Sequence, residues 1–289
     1  MTTQTEHMDT QELEAVAQQI RRDILRMTHG AGSGHPGGAM GCTEILVALY
    51  YKIMNHSPES FDMDGSREDL FFLSNGHISA VLYSTLARTG YFPASELKTH
   101  RMINSRLQGH PSPAKGLPGI RIASGSLGQG LSVAIGAAQG KKLNGDEDSQ
   151  VFVLMGDGEQ QEGQVWEAAM YAAHNKVDNL IAITDFNGAQ IDGMTDDILS
   201  LGDLSAKWTA FGWDVIQLTK GNNLLQVIDT LKLAKTRSWN NKPVMIMAST
   251  EMGYGVDFMQ GGNAWHGKAP NDDQLKQAFA QLEETLGDY

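Results

Sequence analysis

The chain has 289 residues, with 34 acidic against 22 basic side chains and a formal net charge of −12 at pH 7. That length buries a full core, in one large domain or two small ones. The acidic balance and the absence of a basic run argue against a nucleic-acid surface.

The opening MTTQTEHMD carries no apolar h-region, so no signal peptide is expected. Residues 9–27 read as an amphipathic helix, with Asp9 and Glu12 spaced for a capping box and Leu13, Val16, Ile20, Ile24 and Met27 on one stripe. Gly30 is expected to stop it. The loop 31–38, AGSGHPGG, surrounds His35 with glycine and suits close approach by a ligand. Residues 39–54 are apolar almost all round, as in a helix buried between neighbours. Within them Cys42, the only cysteine, reads as a small core residue; it excludes an internal disulfide and fits a reducing, cytoplasmic setting. Residues 69–73 are a first strand, feeding SNGH and a helix whose inner face is Ala80, Tyr83, Leu86 and Ala87. A short helix is expected over 95–103. The irregular stretch 108–124 is long enough to suggest a functional loop. Residues 128–142 form a small-residue helix suited to close packing against a neighbouring helix or another chain.

Residues 151–193 read as one βαβ unit. The apolar run 151–155 is broken by Gly156-Asp157-Gly158. Helix formers follow over 164–174, with Trp166, Met170 and Ala173 on one face, and a second apolar strand over 180–184 ends in Asp185-Phe186-Asn187-Gly188. Parallel neighbouring strands would bring Asp157 and Asn187 to adjacent carboxyl ends, where open α/β sheets bind ligands. A carboxylate, an amide oxygen and a carbonyl from the Gly188-Ala189 turn offer hard oxygens to Mg²⁺ or Ca²⁺ when phosphate and water complete the shell. The glycines beside Asp157 would let backbone N–H groups approach the same phosphates. A tight turn and an ordinary loop asparagine are the plainer explanation of GDG alone; the second strand and its Asn187 favour the metal-diphosphate site.

Further elements are helices over 204–211, 224–236 and 272–286 and strands over 215–218 and 244–248. Five apolar strands alternating with helices predict a doubly wound parallel α/β sheet with helices on both faces, and their regular interval favours a single domain over 1–289. No stretch is long and apolar enough to cross a bilayer. Four histidines, His35, His77, His110 and His266, each border a glycine in a predicted loop. Singly each reads as a loop or capping residue; gathered at one sheet edge they would form an active site. His29 suits a helix C-terminus, and His7, His56, His100 and His174 read as surface or structural.

GDG followed by an asparagine after a second strand resembles the thiamine-diphosphate fingerprint. The blocks SGHPGG, SNGH, LQGHP, SGSLGQG, GDG and WHGKAP, in that order along nearly the whole chain, resemble the transketolase family. The resemblance implies a thiamine-diphosphate-binding fold in which Asp157, Asn187 and the Ala189 carbonyl hold the divalent ion, while Gly156, Gly158, His77 and His266 approach the diphosphate. His35 and His266 would lie near the substrate carbonyl oxygen and His110 near the donor's terminal hydroxyl. Leu127 and Gly128 would contact the aminopyrimidine, and Glu162 would match an acid at the subunit interface, although an acid in a first helical turn explains it equally well. The family's pyrimidine-binding half is missing, which implies a split enzyme with a separate C-terminal chain, two of each.

Met252-Gly253-Tyr254-Gly255 and Asn75 depart from the KGKG and SKGH of many split members and look more like single-chain transketolases. The expected reaction is transfer of a two-carbon ketol unit from a ketose to an aldehyde. The alternatives are a 2-oxo acid decarboxylating or acyloin-forming enzyme with the same cofactor, and a noncatalytic partner that has kept the fold. GSLGQG lacks the G-x-G-x-x-G order of a nicotinamide site.

Overall fold

The computed structural model describes residues 8–289; the reading of the leading residues, His7 included, lies outside them. Helix α1 (Thr10–Ala31) starts on the expected capping box: the Asp9 carboxylate accepts from Glu12 N–H at 2.9 Å, and Glu12 accepts from Asp9 N–H at 2.7 Å. All five residues of the expected stripe are buried. The helix does not stop at Gly30. It runs to Ala31 and is capped by Gly32, whose φ of 61° closes the last turn onto the Thr28 and His29 carbonyls. Asp9→Ala is expected to cost about 1 kcal/mol and lower the melting midpoint by about 2 °C. An unchanged thermal melt would show that the cap contributes nothing.

The expected helix over 39–54 is broken. Pro36 opens α2 (Pro36–Gly41) directly after His35, Cys42 separates it from α3 (Thr43–Ala48), and a π-helical turn follows (Leu49–Ile53). A Cβ at Gly41 would sit 2.9 Å from the Glu251 carbonyl oxygen, so that glycine is needed for close packing of the segment.

The main sheet comprises β1 (Leu70–Leu73), β2 (Val151–Gly156), β3 (Leu180–Phe186), β6 (Asp214–Leu218) and β7 (Val244–Ser249), all parallel, in the order β1-β2-β3-β7-β6. Between β3 and β6 lies a short hairpin, β4 (Ala189–Gln190) with β5 (Gly193–Met194), followed by α7 (Thr195–Leu199) and α8 (Leu204–Ala210). The hairpin and α7 are too short to leave a periodicity in the sequence. Strand side chains alternate between two buried cores. Phe71, Phe152, Ile181 and Ile246 face one, with residues of α1, α3, α4 (Ser79–Arg88) and α9 (Leu224–Arg237). Val151, Val153, Leu180 and Met245 face the other, with α5 (Gly130–Leu143), α6 (Gly163–His174) and Trp208 of α8. Both faces are therefore covered, as the continuous apolar strands require.

Three smaller expectations differ. The buried face of α6 is Val165, Ala168, Ala169 and Ala172. Met170 is exposed, and Trp166 turns aside to pack on Trp208 and Phe211, because alanines let the helix lie closer to the sheet. The short helix expected over 95–103 is a 3₁₀ segment, Ala94–Thr99. The last helix, α10 (Asp272–Phe279), ends early, since the tail instead donates its Thr285 and Leu286 N–H groups to Gln19 and pairs Asp288 with Arg22. Among the described residues no helix is long and apolar enough to cross a membrane.

Candidate active site

The carboxyl ends of β1, β2 and β3 open onto a cavity of about 330 Å³, which also takes in His35 from the loop before α2 and His266 near the chain's end. A larger cleft, about 710 Å³, lies beside β1 and α5. Two of its cations are already paired, Arg121 with Glu68 and Lys141 with Asp146, and no histidine lines it. The smaller cavity is the chemically equipped one.

β2 and β3 pair with Gly156 beside Asp185, so Asp157 and Asn187 sit at adjacent strand ends as the βαβ reading requires. Asp157 is buried. One carboxylate oxygen accepts from Gly158 N–H at 2.7 Å and the other from Gly188 N–H at 2.6 Å, tying the two loops together. The side-chain oxygen of Asn187 accepts from Ala189 N–H at 2.9 Å, and its amide donates to Asp185 at 2.9 Å. Asp185 also receives the hydroxyl of Thr250 and the thiol of Cys42, so the lone cysteine is a buried donor as well as a core residue. Burial, and then the neighbouring Asp185, push the Asp157 carboxyl up to about 7. Burial likewise raises Asp185.

Two buried carboxyl groups that no cation pairs with among the described residues fit a hard divalent ion, which would favour their charged form. Among the described residues no three His, Cys, Asp or Glu side chains gather as a metal cluster. An ion at this edge would therefore rest on Asp157, on amide and backbone oxygens, and on oxygens of a bound ligand. The expectation that N–H groups of the GDG glycines face a phosphate meets a different arrangement: Gly156 N–H donates to Glu159 at 3.1 Å and Gly158 N–H to Asp157. Here these glycines offer close approach rather than donors.

Three of the four singled-out histidines form one cluster. Ring centroids lie 5.0 Å apart for His35 and His77, 5.6 Å for His35 and His266, and 5.3 Å for His77 and His266. Burial, then neighbouring imidazoles, lower His77 to about 3; burial, then His266, Arg101 and His110, lower His35 to about 4. His266 is lowered by burial too. All three are neutral near pH 7. The Nδ1 atoms of His35 and His266 are buried without a hydrogen-bond partner in the protein, as expected of groups that meet a ligand. His110 is exposed and packs on Gly125 at the cavity wall, where a Cβ would approach its ring to 2.4 Å.

Leu127 and Glu162 line the cavity; Gly128, at φ 85°, packs against Glu162. Glu162 occupies the N-cap position of α6 but makes no capping hydrogen bond. Ala189 lies in the hairpin beside Asn187, while the Gly188 carbonyl is taken by Thr195 N–H. His56 and His100 are buried structural residues, His29 pairs with Asp272, and His174 is at the surface.

Sequence reasoning did not single out Asp185, Glu159, Gln190 or Ile191, all of which line the cavity. Asp185 and Glu159 each lie two residues from a predicted ligand, a spacing that would have flagged them. Arg101 was also passed over. It acts on both His35 and His110, and among the described residues its guanidinium donates a hydrogen bond only to Ser33, at 3.4 Å.

The family described as "Transketolase, thiamine diphosphate binding domain" matches residues 13–285. The chain is 39% identical to one of the subunits of the apulose-4-phosphate transketolase of Actinobacillus succinogenes over 274 residues, covering 94% of this chain and 96% of that one. It is 38% identical to the 6-deoxy-6-sulfo-D-fructose transketolase subunit SqwG of Clostridium sp. over 272 residues, with the same coverage. The transketolase structure from Campylobacter jejuni superposes with a TM-score of 0.87 at 32% identity, covering 95% of this chain and 43% of that one. The chain thus spans less than half of the longer transketolases and nearly all of the proteins named as subunits. With a parallel sheet, a matching family over nearly its whole length and these relatives, the chain belongs to the transketolase family as its thiamine diphosphate binding N-terminal part.

Proposed function

We propose that residues 1–289 act as one diphosphate-binding domain that holds thiamine diphosphate and Mg²⁺ and, with a separate pyrimidine-binding chain, transfers a two-carbon ketol unit from a ketose donor to an aldehyde acceptor. The observation that carries this reading is the meeting of the Asp157 and Asn187 edge with the neutral His35, His77 and His266 cluster in one cavity. Asp157, the Asn187 side-chain oxygen and the Ala189 carbonyl hold the ion. When bound, thiamine diphosphate would supply the carbanion chemistry that a two-carbon transfer needs. His35 and His266, uncharged and with unpaired ring nitrogens, exchange a proton with the substrate carbonyl oxygen. His77 abuts the diphosphate, and His110, on the exposed lip, takes the donor's terminal hydroxyl. Leu127 and Gly128 meet the aminopyrimidine, and Glu162 meets the partner.

Two relatives of matching length are named as subunits, which supports a two-chain enzyme; two copies of each chain are the form that closed symmetry favours. The lone, buried Cys42 supports a cytoplasmic setting. The test is isolation of the native complex, native mass spectrometry, and assay with ketose and aldehyde pairs. A second chain, thiamine diphosphate, Mg²⁺ and a two-carbon transfer are expected. Turnover of a 2-oxo acid without ketose transfer would overturn the reaction, and a homo-oligomer that binds no cofactor would overturn the whole reading.

A further inference from the structure

Glu159 is a carboxylate that none of the roles above uses, and it is buried. It lies in the turn Gly158–Gln161 that follows β2. One of its oxygens accepts from Gly128 N–H at 2.8 Å and from the Ser74 hydroxyl; the other accepts from Gly156 N–H at 3.1 Å. Ser74 Oγ accepts in turn from Gly130 N–H at 3.1 Å, which leaves its proton directed at Glu159. Glu159 and Ser74 therefore clasp three loops at once. Each loop carries a residue of the candidate site: His77 from the first, Leu127 and Gly128 from the second, Asp157 from the third.

The clasp has little room to shift. A Cβ at Gly130 would lie 2.4 Å from the Ser74 Cβ, and one at Gly76 would lie 2.5 Å from the Ser124 hydroxyl. Among the described residues no basic side chain pairs with Glu159, and its carboxylate is met there only by two N–H groups and a hydroxyl. A buried carboxylate without a cation is expensive, and an apolar residue would fill the same space more cheaply. What an apolar residue cannot do is hold two backbone N–H groups from separate loops at one point.

We propose that Glu159, together with Ser74, is the positioning residue of the cofactor cradle, setting the spacing of the three loops that grip thiamine diphosphate. This rests on the function proposed above. Glu159 does not touch the reacting atoms, so its removal weakens cofactor binding far more than it slows turnover of the loaded complex. Glu159→Gln has nearly the same shape, but its amide nitrogen faces the Gly156 N–H and cannot accept from it.

The test uses the complete two-chain complex carrying Glu159→Gln or, as a milder change, Ser74→Ala. The thiamine diphosphate dissociation constant, measured by intrinsic-fluorescence titration, is expected to rise tenfold or more for Glu159→Gln, with kcat at saturating cofactor within about threefold of wild type. Ser74→Ala is expected to show the same split with a smaller rise. In the cofactor-free complex, hydrogen exchange should quicken about tenfold in peptides covering 125–131 and 155–160 and stay unchanged in those covering β7, where a general loss of stability would also appear. Wild-type affinity with unchanged exchange in both variants would overturn the clasp, as would a loss confined to kcat. If Glu159→Gln does not fold, Ser74→Ala decides by the same criteria. Wild-type complex that binds no thiamine diphosphate would sink the proposed function instead, and the exchange pattern would still judge the clasp.

Discussion

Asp157→Asn is expected to weaken Mg²⁺-dependent thiamine diphosphate binding about a hundredfold or more, roughly the 3 kcal/mol of a lost charge-assisted contact. The same change acts differently on the cofactor-free protein. The Asp157 carboxyl, held at about 7 by burial and Asp185, binds its proton more tightly in the folded chain than in the unfolded one, where its ordinary value is 3.8. Such a group takes stability away as pH rises between those values, because folding then requires an unfavourable buried charge. The asparagine variant carries no such charge at that position. Its stability relative to wild type should therefore improve steadily from pH 4 to pH 7, offsetting part of the one N–H acceptor it loses at Gly158 or Gly188. Asp157→Ala loses both acceptors and is the poorer probe. The measurement is paired urea unfolding across that range, alongside calorimetric titration with Mg²⁺ and cofactor in the presence of the partner chain. Equal cofactor affinity in variant and wild type would remove Asp157 from the site. A pH-independent stability difference would show that its carboxyl is not held protonated.

The histidine cluster is expected to produce a second large effect, of opposite sign. His77, lowered to about 3, and the structural His100, lowered to about 4 chiefly by burial, are neutral in the folded chain where the unfolded chain's imidazoles, near 6.5, already bind protons. Their stabilisation is complete above pH 6.5 and is lost as pH falls through the window toward 4 and 3. Each contributes a slope of about 1.4 kcal/mol per pH unit in the middle of that window. Because the Asp157 and Asp185 pair works against this slope, the wild-type curve reports only the balance. His77→Gln isolates one component: between pH 6 and 4.5 its stability should fall less steeply than wild type by close to one proton. Identical slopes would mean that His77 is already protonated, or well solvated, in the folded protein.

Much of the scaffold was legible because it rests on local periodicity. The strand at 151–155 and its neighbour at 180–184 are continuous apolar runs, and such runs identify doubly covered strands whatever the rest of the chain does. The cap at Asp9 and Glu12 was legible for the same reason, its partners being three residues apart. Element ends were less so. Gly30 and Gly32 look alike in sequence, and only the backbone's left-handed turn at Gly32 decides which one caps the helix. Met170 lies on an apolar stripe but outside the core, because packing distance and not pattern selects the face of α6.

The sequence by itself determined the family, the alternation of strands and helices, and the chemical types assembled for the site: an acid and an amide after successive strands, and histidines beside glycines. Those are properties of residues and their near neighbours, which the chain's order records directly. The tertiary structure decided which groups meet. It brought His35, His77 and His266 into mutual contact from distant parts of the chain, set Asp185 against Asp157, and gave the GDG amides to carboxylates. It also joined Glu159 to loops 85 and 31 residues away. No local pattern encodes such meetings, because they arise only when a parallel sheet collects its carboxyl-end loops at one edge and burial then sets the charge of each group there.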